Sequence, residues 1–185
     1  MIRRGRADAG FTLVEVILVG VLSVVVTAGL AAFLRVYNGT ISEGTANALI
    51  QQQSEIVIDQ VSRNVQSAIQ VAGPAETYSA TPSGAAAVVT EIQMFDSSRQ
   101  IFAAYKIQDG LLKEAHPDPP AASLLAVNYQ PFMTGGGSPV RVTDISNFTL
   151  AAERRSVTIN LAVKTAYRGV EYSTLSRNET VNCRN

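Results

Sequence analysis

Cysteine, histidine and net charge are what this sequence has least of. Its 185 residues hold one cysteine, Cys183, and one histidine, His116. A single thiol excludes an intrachain disulfide framework and a multi-cysteine zinc site, and a single imidazole excludes a His-rich metal cluster. The 15 Lys+Arg balance the 15 Asp+Glu, so no strong overall field gathers phosphates, which argues against nucleic acid as a partner. There is no internal repeat and no heptad array. At 46% hydrophobic and 16% charged the chain is not disordered, and its length suits one domain.

The apolar residues are unevenly spread. Phe11 to Leu34 reads FTLVEVILVGVLSVVVTAGLAAFL, 24 residues with 18 apolar and one charge. As a helix it would be about 36 Å long, enough to cross a hydrocarbon core of about 30 Å. A Sec signal peptide cut near Ala28, Ala31 or Ala32 is the alternative, but such an apolar core normally runs about 7–15 residues. Arg3, Arg4 and Arg6 precede the span with only Asp8 against them, whereas Arg35 is the last basic residue before Arg63. The positive-inside rule then keeps residues 1–10 cytoplasmic and exports the larger part.

Glu15 does not suit a simple anchor. At mid-bilayer an acidic side chain costs about 2.5–3.5 kcal/mol, less near the interface. In a helix starting at Phe11, Glu15 lies about 6 Å along the axis, where its natural partner is a cation at the same depth. A chain cut after Gly10 would supply one, the new α-amino group of Phe11. Within one chain that pairing is cramped; between axially offset neighbours it is not.

The residues GFTLVEV at Gly10–Val16, after a short basic leader and before an apolar span, resemble the class III signal of the type IV filament superfamily, the pilins and the pseudopilins of type II secretion. The resemblance covers about the first 35 residues closely. It implies cleavage by a prepilin peptidase between Gly10 and Phe11, N-methylation of Phe11, and an assembly salt bridge made by Glu15. The implied partners are that peptidase, other pilin or pseudopilin subunits, an inner-membrane assembly platform and membrane lipid. The implied location is the bacterial inner membrane, with the head periplasmic, and then a periplasmic or cell-surface filament. Unlike many major pilins, the span has no proline between Thr27 and Leu34, and Gly20 and Gly29 are its only weak helix points.

Beyond the span, Tyr37–Gly44 (YNGTISEG) is a possible bend. Then Ile50, Val57, Val61, Val65, Ala68 and Ala72 fall on one helical stripe, with Glu55, Asp59, Arg63 and Asn64 opposite, and Gly73-Pro74 stops the pattern. One helix from the span to about Ala72 is expected. From Val88 the period becomes two through Thr90, Ile92 and Met94; Ile101–Ile107 alternates again, and Asp109-Gly110 turns the chain into Leu111–Ala115. Leu124–Gln130 offers another strand, Thr134–Ser138 a flexible loop, and Val157, Ile159, Leu161 and Val163 a further strand after an exposed turn at Glu153-Arg154-Arg155. The expected fold class is α+β, a long helix packed on an antiparallel β-sheet. Its divisions are a leader at 1–10, a transmembrane helix at 11–34, a helical stem at 35–72 and a β-rich head at 73–185. This layout is similar to the larger minor pilins and J-type minor pseudopilins, and the single Cys183 cannot close the C-terminal disulfide loop usual in type IVa major pilins.

No catalytic site, metal site or cofactor is expected. His116 reads as a loop residue with no carboxylate or nucleophile tied to it by motif. Cys183 reads as incidental, with a reactive thiol or an intermolecular bridge as the alternatives. Gly135–Gly137 lacks the Lys-Ser/Thr of a phosphate loop, and Asp96, Asp109 and Asp118 lack calcium-loop spacing. Asn38, Asn147 and Asn178 head Asn-x-Thr sequons, which carry no weight without a glycosylation system. Arg154-Arg155 reads as a solvated turn. The chain is thus expected to be a structural subunit rather than an enzyme, the rival being a membrane-anchored periplasmic binding protein that never polymerises.

Overall fold

The computed structural model describes residues 11–184 other than 75, 82–83, 126–127, 135–138 and 168–169, without the side chains of 165–173. Leader residues 1–10, including Gly10, and the Gly135–Gly137 loop therefore lie outside the described residues. The chain divides into two compact units, Met1–Gly44 and Thr45–Asn185.

The described part of the first unit is helical from Leu13 onward, the opening of α1, which spans Leu13–Ser67. Helical hydrogen bonding continues through Tyr37–Gly44, where a bend was expected. Nothing crowds Gly39 or Gly44, so neither glycine marks a close approach. This helix contains a stretch long and apolar enough to cross a membrane.

The second unit is an α+β head. The end of α1 lies over an antiparallel sheet of β1 (Gln70–Ala72), β2 (Ala87–Val89), β3 (Glu91–Phe95), β4 (Ile101–Gln108), β5 (Leu111–Ala115), β6 (Gln130–Pro131), β7 (Arg141–Val142), β8 (Asn147–Leu150), β9 (Ser156–Tyr167) and β10 (Val170–Asn182). The order is β1-β3-β4-β5-β7-β9-β8-β2, with β6 on β5 and β10 on β9. Long β9 carries β10 on one edge and shares the other between β8 and β7. The sheet curls until β1 meets the β8–β9 turn, where Val71 N–H donates to Arg154 O at 2.9 Å; just past β10, Arg184 N–H donates to Ala68 O at 3.1 Å.

The predicted meander is present as β3, β4 and β5, with Ile92 opposite Tyr105 and Ile107 opposite Leu112. Asp109 (φ 56°) and Gly110 (φ 69°) make its tight turn, as two consecutive left-handed residues require. Val57, Val61 and Val65 of α1 are fully buried against Ile92, Met94, Tyr105, Phe132, Phe148 and Ile159. Each such valine contributes about 1.5–3 kcal/mol relative to exposure. The opposite sheet face has a smaller core of Ala72, Phe95, Ile101, Ala104 and Ala115, covered by Tyr78, Leu124 and Tyr129.

Three expectations are corrected. The helix ends at Ser67 rather than about Ala72, and residues 70–72 are β1, which pairs with β3. Ala68 and Ala72 are buried as expected, but a spacing of four fits a strand's period of two as well as a helix turn. The 88–94 alternation is two strands, since β2 pairs with β8 and β3 with β4. Among the described residues of 124–130, only Gln130 is in a strand.

Candidate assembly site

Thr12 precedes the first helical residue, and Glu15 stands in the first turn. Glu15 N–H donates to Thr12 Oγ1 at 3.3 Å, while Thr12 N–H donates to Glu15 Oε2 at 3.4 Å. This reciprocal Thr-x-x-Glu arrangement satisfies two otherwise orphaned donors at the helix start. The carboxylate also meets the positive end of the helix dipole. The sequence carried the signal, but Glu15 had been read only for its charge.

Around this cap the helix is apolar and open. Phe11 is 82% exposed, and Val14, Ile17, Leu18, Val21, Leu22 and Val25 lie on one exposed flank. Ser23 Oγ donates to Val19 O at 2.8 Å and Thr27 Oγ1 to Ser23 O at 2.7 Å. Both hydroxyls are thereby satisfied within the helix, as a hydrocarbon surrounding demands. Glu15 remains as the single charge between Phe11 and Leu34, its carboxylate held among the described residues by two long hydrogen bonds from Thr12, N–H at 3.4 Å and Oγ1 at 3.5 Å.

In the head, the other singled-out residues have structural partners. His116 is not isolated: its Nε2 is 3.0 Å from Glu114 Oε2 and its ring lies edge-on to Tyr105. Glu114 also accepts from Gln60 at 3.1 Å, and Asn64 donates to Tyr105 Oη at 2.7 Å. These bonds tie α1 to β4 and β5. Burial, then the charge of Glu114, pushes the Tyr105 hydroxyl far up, so it stays protonated and supplies no nucleophile.

Burial also pushes the Cys183 thiol up to about 11. At 9% exposure it is placed neither for reactivity nor for an intermolecular bridge. Arg154 corrects the solvated-turn expectation: only 7% exposed, it donates to Glu76, to Ala85 O at 3.1 Å and to Ala151 O at 2.9 Å. Arg155 beside it is exposed.

Asp96 accepts the N–H groups of Ser98 and Gln100 at 2.8 and 3.0 Å and so shapes its own turn. Asp109 pairs with Lys113. Among the described residues no group of three or more His, Cys, Asp or Glu could hold a metal. A polar cluster missed in the sequence centres on nearly buried Glu91, which accepts from Tyr129 Oη at 2.8 Å, Gln93 at 3.2 Å and Lys106 at 3.2 Å. Its signal was the Glu91–Lys106 register of the meander.

Fold and site together define the class of an α+β head borne by an N-terminal helix apolar enough to enter a membrane. No family model, curated protein or solved structure matches the chain.

Proposed function

We propose that the chain is the precursor of a minor subunit of a type IV pilus or type II secretion pseudopilus, a structural protein rather than an enzyme. It is anchored in the bacterial inner membrane with residues 1–10 cytoplasmic and the head exported. The observation that carries this reading is one carboxylate, Glu15, in the first turn of an exposed apolar helix directly after Gly10-Phe11. Prepilin peptidase cuts after Gly10 and methylates Phe11, leaving a cationic terminus. Glu15 of a neighbouring subunit then exchanges its long bonds to Thr12 for a shorter, charge-assisted one to that terminus. Apolar contacts along the spans hold the filament core, and an amine or carboxylate left unpaired there is expensive, which enforces register.

The reading is tested by two substitutions. Gly10→Ala leaves full-length precursor on a gel, and Glu15→Ala is still cleaved yet absent from sheared filaments. Normal incorporation of Glu15→Ala contradicts the pairing mechanism.

A further inference from the structure

The head contains a recess of about 190 Å³ beside the start of β1 and the end of β10. Ile69 and Tyr78, both half-buried, form an apolar side, while Gln70, Arg155 and Arg184 bring hydrogen-bond donors. Backbone bonds fix the main chain at both arginines: Arg155 O accepts from Cys183 N–H at 2.7 Å, and Arg184 N–H donates to Ala68 O at 3.1 Å. Arg155 and Arg184, from distant parts of the chain, thus line one concavity. Neither forms an ion pair among the described residues.

Gln70 adds an independent observation. It is only 4% exposed, and its Oε1 accepts from Ser79 N–H at 3.2 Å. Its Nε2 has no acceptor among the described residues, and Gln70 lines the recess. A buried amide with one end fixed and the other unpaired suits an incoming acceptor. Planar guanidinium groups match the two oxygens of a carboxylate. Glu153 also lines the recess, and its charge disfavours a dianion such as phosphate more than a monoanion.

We propose that this recess binds a carboxylate monoanion with an apolar flank, the carboxylate meeting Arg155, Arg184 and Gln70 Nε2 and the flank lying on Ile69 and Tyr78. The proposal does not rest on the filament reading. A free small acid and the carboxylate terminus of a protein chain share this chemistry.

The test is calorimetric titration of the full-length protein in detergent micelles with N-acetyl-leucine, N-acetyl-leucinamide, inorganic phosphate and a free-acid peptide ending in leucine. The free acid binds, and the amide binds at least about tenfold more weakly because it lacks the charge. Phosphate is weaker than the acid, Arg155→Gln with Arg184→Gln abolishes binding, and Glu153→Gln tightens it severalfold. The peptide binding more tightly than N-acetyl-leucine assigns the site to a chain terminus, and the reverse assigns it to a small acid; either supports the site. Equal binding of acid and amide, no binding at millimolar concentrations, or weakening by Glu153→Gln overturns it. Glu153 is itself exposed, so its variant carries the test if the double arginine variant does not fold.

Discussion

Arg154 grips Glu76 with two parallel hydrogen bonds, Nε to Oε2 at 2.9 Å and Nη2 to Oε1 at 2.6 Å. Glu76 Oε2 also accepts from Gly73 N–H at 2.9 Å. The chain that leaves β1 is thereby fastened to the turn between β8 and β9, where the curled sheet meets itself.

Removing one partner therefore destabilises the head. Glu76→Gln costs about 1–2 kcal/mol, at the low end for a broken ion pair because Glu76 is partly exposed. Arg154, held chiefly through its hydrogen bonds, keeps the Glu76 carboxyl below its ordinary 4.5. A depressed folded-state value means that this stability is present above about 4.5 and lost as pH falls through the lower folded-state value. Urea unfolding at pH 7 and pH 3 checks it: the gap between wild type and Glu76→Gln shrinks at the lower pH.

Phe148 is completely buried between the end of α1 and the sheet, in register with Ile159. Phe148→Ala costs about 3–5 kcal/mol of unfolding free energy through lost burial and the cavity left behind. Leu125 is 68% exposed, and Leu125→Ala stays within about 0.5 kcal/mol of wild type. Equilibrium denaturation of both variants measures the contrast.

Cys183 is a buried thiol whose ionisation is pushed up to about 11. At pH 7.5 the thiolate is a very small fraction, so a thiol reagent such as dithionitrobenzoate labels the folded protein slowly and the urea-unfolded protein quickly. Rapid labelling of the folded protein would contradict the burial.

Much of the head was legible because its signals are local. The stripe at Val57, Val61 and Val65 marks the buried helix face, and Asp109-Gly110 marks a hairpin whose two turn residues both take positive φ. What was not legible depends on distant pairing. Nothing near Thr90 announces that the chain changes neighbours there, because alternation is blind to which strand lies alongside. Arg154 reads as a surface residue beside Arg155 until Glu76, 78 positions earlier, is brought to it. At the candidate assembly site, by contrast, Thr12 and Glu15 are three positions apart, so their cap was within reach of the sequence alone.

The central claim is that Glu15 awaits a cation created by cutting the chain after Gly10. Intact-mass and N-terminal fragment spectrometry of protein purified from membranes of its native host tests this most directly. The account predicts a chain that begins at Phe11 and carries one added methyl on its amino group. Mature protein that still carries Met1 and the Arg3-Arg4 leader would contradict it.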